Sequence, residues 1–573
     1  MDRLTKGKAV GLLLGLTLLA SACSQGGDKP ASPGETSGTT APTGKTGLND
    51  IVPTDRAELA DGGTLRWALD QIPPNFNLNE LDGSLADNAS IMAGLMPGMF
   101  DFDAAAQPVR KNDYVTSAEL TATSPKQVVT YRINPKAAWD DGTPITQADF
   151  EAQWKALRGV DRAFKIASSN GYEKIESVAK GADDREVIVT YLAPYVDWQG
   201  LFSSLYPAST NGDAGVFNDG WKEKPLTTAG PFRFEGIDAT AKAVTLVRNE
   251  KWWGRAAKLD KIIFRAIDRD AQVDALANGE IDFIGTGSDV NRLRRAESTK
   301  GVAIHRSSAP NFNHLTINAT SAILSDVEVR RALARAIDRD TIARALLGPL
   351  GVSTAPLGNH IFMTNQKGYQ DNSTELSFSP DQAKASLEKA GWKASGATRA
   401  KDSKPLTLRL VLPSTSTIGK QIAELIRGMV KEVGITVDLE TVPSEDFFEQ
   451  YVSPGNFDLV LFSWVGTPFP ISSAKSIYAK PKPNPDGSVD IQQNYARLGS
   501  DELDRLFDQA TAEFDAGKAI DLGNQIDRMI WGEVHSLTIY QVPDIVATKA
   551  TLANFGAFGF ASAVYEDIGF KKT

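Results

Sequence analysis

Between Asn311 and Leu347 the period of apolar and polar positions changes in close order. His314 to Asn318 alternates in type, as a strand with two different faces does. Val329, Ala332, Leu333, Ala336 and Ile337 then recur at helical spacing, which predicts a helix burying that stripe. Ahead of it, Ser325-Asp326-Val327-Glu328 has the form of a capping box. Asp340 is placed to cap a second short helix, and Gly348-Pro349 stops it.

The same reading extends along the chain. Strands are predicted over Thr64–Leu69, Val128–Ile133, Glu186–Tyr191, Ala243–Arg248 and Leu259–Ile267, and a helix over Ser84–Met96. The prolines and asparagines of Ile72 to Asn79 make an ordered turn. Thr146 and Asp149 frame a helix running to Leu157. Asp270 to Asn278 is a short helix, and Ile281 to Ile284 a buried strand. Beyond the opening stretch, a helix starts at Ser379-Pro380. Strand Leu406–Leu412, helix Ile418–Val433 and strand Ile435–Thr441 follow. A short helix around Phe447 precedes strand Phe457–Trp464. Asp501–Arg528 is mostly helical, and Leu537–Gln541 is a last strand. Strand and helix alternate, so the fold class is α/β. At 573 residues the chain is too long for one core, and two or more lobes are expected.

Charge narrows the partners. Arg330, Arg331, Arg335 and Arg339 invite a nucleic-acid reading, but Glu328, Asp338 and Asp340 interleave with them. The net charge is -10, and removing Met1–Ala22, with its three cations and one carboxylate, makes it -12. So acidic a chain is a poor polyanion binder, and no nucleic-acid partner is expected.

The amino terminus sets the compartment. Arg3, Lys6 and Lys8 precede an apolar run, Val10 to Ala20, of signal-peptide length. Small residues then lead to Cys23, the one cysteine of the chain. Ser24 to Asn49 is mostly Gly, Ser, Thr and Pro and reads as a tether.

Candidate chemistry is sparse. Gly38 to Thr46 has one residue too many for a phosphate loop, and Gly285-Thr286-Gly287-Ser288 lacks the third glycine of a dinucleotide loop. Asp140 and Asp141 are adjacent in a turn and read as turn formers, and Trp252-Trp253 reads as a packing wedge. His305, His314, His360 and His535 have no metal-ligand spacing. No GxSxG, HExxH or cysteine-based pair occurs, so no catalytic residue, metal or cofactor is assigned.

Five motifs in order make the chain recognisable. They are Trp139-Asp140-Asp141-Gly142-Thr143-Pro144, Ala229-Gly230-Pro231-Phe232, and Leu246-Val247-Arg248-Asn249 running to Trp252-Trp253. Leu276-Ala277-Asn278-Gly279-Glu280-Ile281-Asp282 and Val329-Arg330-Arg331-Ala332-Leu333 with Ala336-Ile337-Asp338-Arg339 complete them. Their order resembles the family 5 solute-binding proteins of ABC importers, the oligopeptide- and dipeptide-binding group. Leu19 to Cys23 likewise resembles a bacterial lipobox, with Ala20 where Leu is usual.

The resemblance implies a type II periplasmic-binding-protein-like fold whose two lobes close over a ligand, with an extra subdomain inserted in lobe one. Residues 1–22 would be the signal peptide and 23–60 the flexible linker anchored through lipidated Cys23. Lobe one would span 61–312, with the insertion at about 97–224. Lobe two would span 313–537, and 538–573 would return to lobe one. Crossings are expected near Pro310–Asn313 and Leu537–Pro543. The ligand would be a peptide or related polar solute, handed to ABC permease subunits by a monomer on the outer face of the cell membrane. A secreted hydrolase, or a surface sensor on the same fold, is the alternative.

Oligopeptide binders of this family hold the peptide ammonium with a Trp-x-x-Asp segment. Here Trp464 matches, but Thr467 stands where Asp is expected. The resemblance places the remaining ligand candidates by position: Asn75, Phe76 and Asn77 in the early turn, and Phe312, Asn313 and His314 at the crossing.

Overall fold

The computed structural model describes residues 47–483 and 489–572. The signal segment, Cys23 and the tether through Thr46 lie outside the described residues. From Gly47 the chain is seated: Gly47 bridges to Ser307, Asp50 to Ala557 and Leu59 to Lys571. Of the linker expected over 23–60, residues 47–60 therefore pack on the body of the protein rather than hanging free, because backbone bridges and the buried Leu59 hold them.

Two large cores carry the lobes. One is built from residues between Leu65 and Phe264 together with Leu552, Phe555, Tyr565 and Ile568. Its sheet orders strands Thr64–Leu69, Lys261–Ala266, Ala243–Arg248 and Phe232–Asp238, the first pair parallel. A second, antiparallel sheet takes Val115–Ala122, Val128–Ile133, Glu186–Tyr191 and Ile175–Lys180. Every second residue of Val128–Ile133 is buried, which is the pattern of a half-covered strand. Helix Gln147–Leu157 covers this sheet and starts where its box predicts, with Thr146 N donating to Asp149 at 2.8 Å. The Asp140-Asp141 turn holds itself: Asp141 accepts from Thr143 N, and Asp140 from Thr228 Oγ1. Trp252 and Trp253 wedge against Tyr114.

The other core spans Leu293 to Ile545. Its six-stranded sheet runs Phe283–Gly285, Ser536–Lys549, Val302–Ile317, Leu459–Val465, Thr407–Pro413 and Thr436–Val442. Thr407–Pro413, helix Thr417–Lys431 and Thr436–Val442 form a parallel strand–helix–strand unit. Two long antiparallel strands, Val302–Ile317 and Ser536–Lys549, run through both halves of the molecule, and their register breaks between Ser308 and Phe312. Pro310 and Pro543 lie at this break, where a residue without an N–H cannot continue a ladder.

Several element ends differ from expectation. Helix Val327–Ala336 buries Val329, Ala332, Leu333 and Ala336 as predicted, but Asp326 rather than Ser325 caps it, accepting from Glu328 N at 2.9 Å. The next helix, Arg339–Leu347, is capped by Asp338 rather than Asp340. In both places the aspartate immediately before the first helical residue aims its carboxylate at the free N–H groups. The Ser84–Met96 segment is helical only over Ala86–Met92, and Asp501–Arg528 divides into Asp501–Ala512 and Ala516–Glu533. The arginines do more than face solvent. Arg330 is buried and donates to Leu324 O and Glu533 O, while Arg339 donates to Leu357 O and lies over the Trp531 ring.

Candidate functional site

The turn that follows strand Leu459–Val465 is clamped to a crossing strand. Gly466 N donates to Pro310 O at 2.9 Å, and a Cβ on Gly466 would sit 2.7 Å from that oxygen. Thr467 Oγ1 accepts from Phe469 N and bonds Ser473 Oγ, and Thr467 O accepts from Gln366. Its hydroxyl thus organises the start of helix Pro470–Tyr478. That geometry sends Phe469 across to the other lobe, where its ring meets Phe102 edge-on at 5.5 Å. Gly200 makes room for it, since a Cβ there would lie 2.7 Å from the Phe469 ring.

The lobes also touch at Val196 N, which donates to Thr511 O at 3.1 Å. The Ser472 hydroxyl faces both Tyr195 and Asp197. Burial pushes the Asp197 carboxyl up to about 6, an effect that Ser472 only partly offsets. A small apolar cluster closes the seam near the crossing: Ala106 and Phe560 from one side, Phe312, Leu357 and Met363 from the other.

Strand alternation sorts the candidates of the second lobe. Phe312 pairs with Trp464 and His314 with Phe462 on one face, while Asn313 pairs with Ser463 on the other. Trp464 lies between two rings, stacked on His314 at 5.7 Å and on Tyr495 at 5.8 Å. His314 is buried and bonds Thr316 Oγ1 at 2.8 Å. Desolvation drives its pKa down to about 3, so it is a neutral ring at physiological pH. Asn313 accepts from Ser463 Oγ at 2.8 Å.

The structure does not bring the early turn to this face. Asn75 donates to Glu80 and Asn218 O, and Asn77 to Phe217 O. Their own carbonyl oxygens accept from Asn77 N and Asn79 N. Phe76 is core, and its carbonyl accepts from Tyr206 OH. All three are buried and bonded within the first lobe, where they fix the chain after its first strand.

A pocket of about 540 Å³ adjoins the seam. Phe100 and Asp101 line it, and the next residue, Phe102, carries the contact with Phe469. Further walls come from Trp67, Met92, Met96, Phe283, Phe555, Phe558 and Tyr565, and from Asp544 on a crossing strand. Ala89, Ala93 and Gly285 are exposed at its rim. Lys111 pairs with Asp101 at 3.2 Å. Sequence reasoning missed these residues. A lone carboxylate after Pro543 reads as a surface position, and the aromatics come from segments far apart in the chain. The Gly285-Thr286 turn, set aside as a dinucleotide loop, marks part of the rim.

The histidines are structural. His360 Nδ1 lies 2.8 Å from Asp527, and its Nε2 faces Ser536 O, so both nitrogens are engaged inside the second lobe. His305 contacts Asp50 and Thr548, and burial depresses His535 well below the usual imidazole value. Among the described residues no His, Cys, Asp and Glu cluster suited to a metal ion occurs.

A family model described as bacterial extracellular solute-binding proteins, family 5, middle, matches residues 114–485. The chain is 42% identical over 529 residues to the oligopeptide-binding protein OppA of Mycobacterium tuberculosis, covering 91% of this chain and 87% of that one. Among solved structures, it is similar to a periplasmic EDTA-binding protein, EppA, with 28% identity and a TM-score of 0.83 over 93% of this chain and 100% of that one. The oligopeptide-binding protein AppA of Bacillus subtilis, solved with a nonapeptide, shares the fold at 20% identity and a TM-score of 0.75, covering 90% of this chain and 100% of that one.

Proposed function

Because the chain belongs to the family 5 bacterial extracellular solute-binding proteins, we propose that it is the lipid-anchored receptor of an ABC importer, capturing peptides between two closing lobes. The carrying observation is mechanical. Two antiparallel strands with a break in register join the two halves, and the halves meet across a narrow seam beside a pocket of about 540 Å³. Few links across a break allow hinge motion beside the pocket. Identity of 42% to a protein named for oligopeptide binding supports peptides as the cargo. The protein is read as a binder without catalytic activity, because its family is one of solute-binding proteins and both nitrogens of the buried His360 are engaged, by Asp527 and Ser536 O.

Peptide capture is tested by X-ray scattering and thermal melting with a mixed peptide pool. Ligand at a hundredfold excess over Kd should stabilise the closed form by about 2.7 kcal/mol and contract the particle. A scattering profile and melting curve unchanged at saturation would sink the reading. The anchor is tested separately: Cys23→Ser should release the protein from membranes into the medium, and retention of the variant would overturn lipidation.

A further inference from the structure

Thr467 stands where the resemblance leads one to expect an aspartate, and its hydroxyl is committed to the start of the following helix. A peptide amine docked at that turn would find no carboxylate there. We propose that Asp544 supplies it, so that the pocket in the first lobe holds the cationic end of the ligand. This rests on the peptide-receptor reading above and adds to it the residue that recognises the charge.

Three observations carry the assignment. First, the charged side chains lining the pocket are Asp101, Lys111 and Asp544. Lys111 is taken by Asp101, and among the described residues no cation pairs with Asp544. The pocket therefore carries one uncompensated carboxylate, whose burial raises its pKa above the ordinary value. A cation arriving there relieves that cost. Second, the carboxylate is held in place. Gly559 N and Ser307 Oγ both donate to Oδ2, and the Phe558 backbone N–H also bonds the carboxylate. The loop that brings Gly559 is itself fixed, because a Cβ at that position would lie 2.4 Å from Leu48 O. Third, the walls suit an amine on an apolar body. Trp67, Phe100, Phe283, Phe555, Phe558 and Tyr565 surround it, and aromatic faces attract cations while burying side-chain area. Asp544 also directly follows Pro543 at the register break, so charge bound there acts on the crossing strands themselves.

The test compares a pentapeptide mixture lacking Lys and Arg, with free amino termini, against the same mixture N-acetylated. Dissociation constants are measured for the full chain and three variants. The parent protein should prefer the free amines by about 10- to 100-fold, the range of a charge-assisted hydrogen bond. Asp544→Asn, which keeps an oxygen for Gly559 N, should lose that preference by weakening only the free amines. Ala89→Trp, at an exposed helical position on the rim, should weaken both mixtures and keeps the test decisive if Asp544→Asn melts early. Asp197→Asn should keep the preference. Equal affinity of the parent for both mixtures would overturn the role of Asp544 and leave the receptor reading standing. Preference retained in Asp544→Asn, preference lost in Asp197→Asn, or normal binding by Ala89→Trp would each overturn it too. If the parent binds neither mixture, the peptide reading and this assignment fall together.

Discussion

Trp464 is held on both sides by rings that have support of their own, His314 through Thr316 and Tyr495 against Phe448 and Phe462. Removing it leaves those neighbours supported, so Trp464→Ala should cost little stability. As the ligand contact that the resemblance proposes, its loss should weaken binding about tenfold or more, the usual effect of losing an anchoring aromatic. Titration and melting of the variant check both halves, and unchanged affinity would remove Trp464 from the site. Its place at the end of an apolar strand was legible from the run Leu459 to Trp464, because a strand covered on both faces reads as consecutive apolar residues, and Leu459, Val460 and Leu461 are all buried. The environment of Asn75 and Asn77 was not legible, because the carbonyls that satisfy them belong to Phe217 and Asn218. Asp544 was hidden for the same reason: an unpaired charge is defined by which cations are absent around it, and spacing along the chain says nothing of that.

At the level of elements the hydrophobic period placed most strands and helices within a residue or two, and local rivalry decided their ends. Asp338 precedes the helix Arg339–Leu347, and Asp340 lies within its first turn. Asp338 takes the capping role, accepting from Thr341 N at 3.0 Å and from Thr341 Oγ1 at 2.5 Å. Asp338→Ala should therefore cost about 1 kcal/mol, while Asp340→Ala should cost a few tenths at most. Urea unfolding of the two variants distinguishes them, and equal losses would contradict the assignment. The long crossing strands were only partly visible for a related reason. Their apolar runs continue past the break, but Pro310 and Pro543 read as stops in a single chain and become tolerable only when both fall at one irregularity.

For the molecule as a whole, the seam contains a titrating group. In this structure Ser472 of the second lobe lies against Asp197 of the first, and burial there lifts the carboxyl to about 6 from an ordinary 3.8. A carboxyl whose pKa is raised on closure binds a proton more tightly in the closed form. Closure is therefore favoured as pH falls through about 6 and opposed above it, where the carboxylate must be buried ionised. Scattering without ligand should show a larger closed fraction at about pH 5 than at about pH 7.5, and Asp197→Asn should flatten the dependence. A response that survives in Asp197→Asn would assign it to another group.

The two crossing strands also govern when this polypeptide can finish folding. Ser536–Lys549 lies between Phe283–Gly285 and Val302–Ile317 in the sheet, and Leu552 to Ile568 completes the core begun near Leu65. A nascent chain lacking its last few dozen residues has an open sheet in one half and a missing wall in the other. Neither half can close on itself by local contacts alone, and pairings so distant in sequence form slowly. Threading through a membrane, amino terminus first, would thus deliver an unfinished chain, and its final residues would trigger collapse of both halves together.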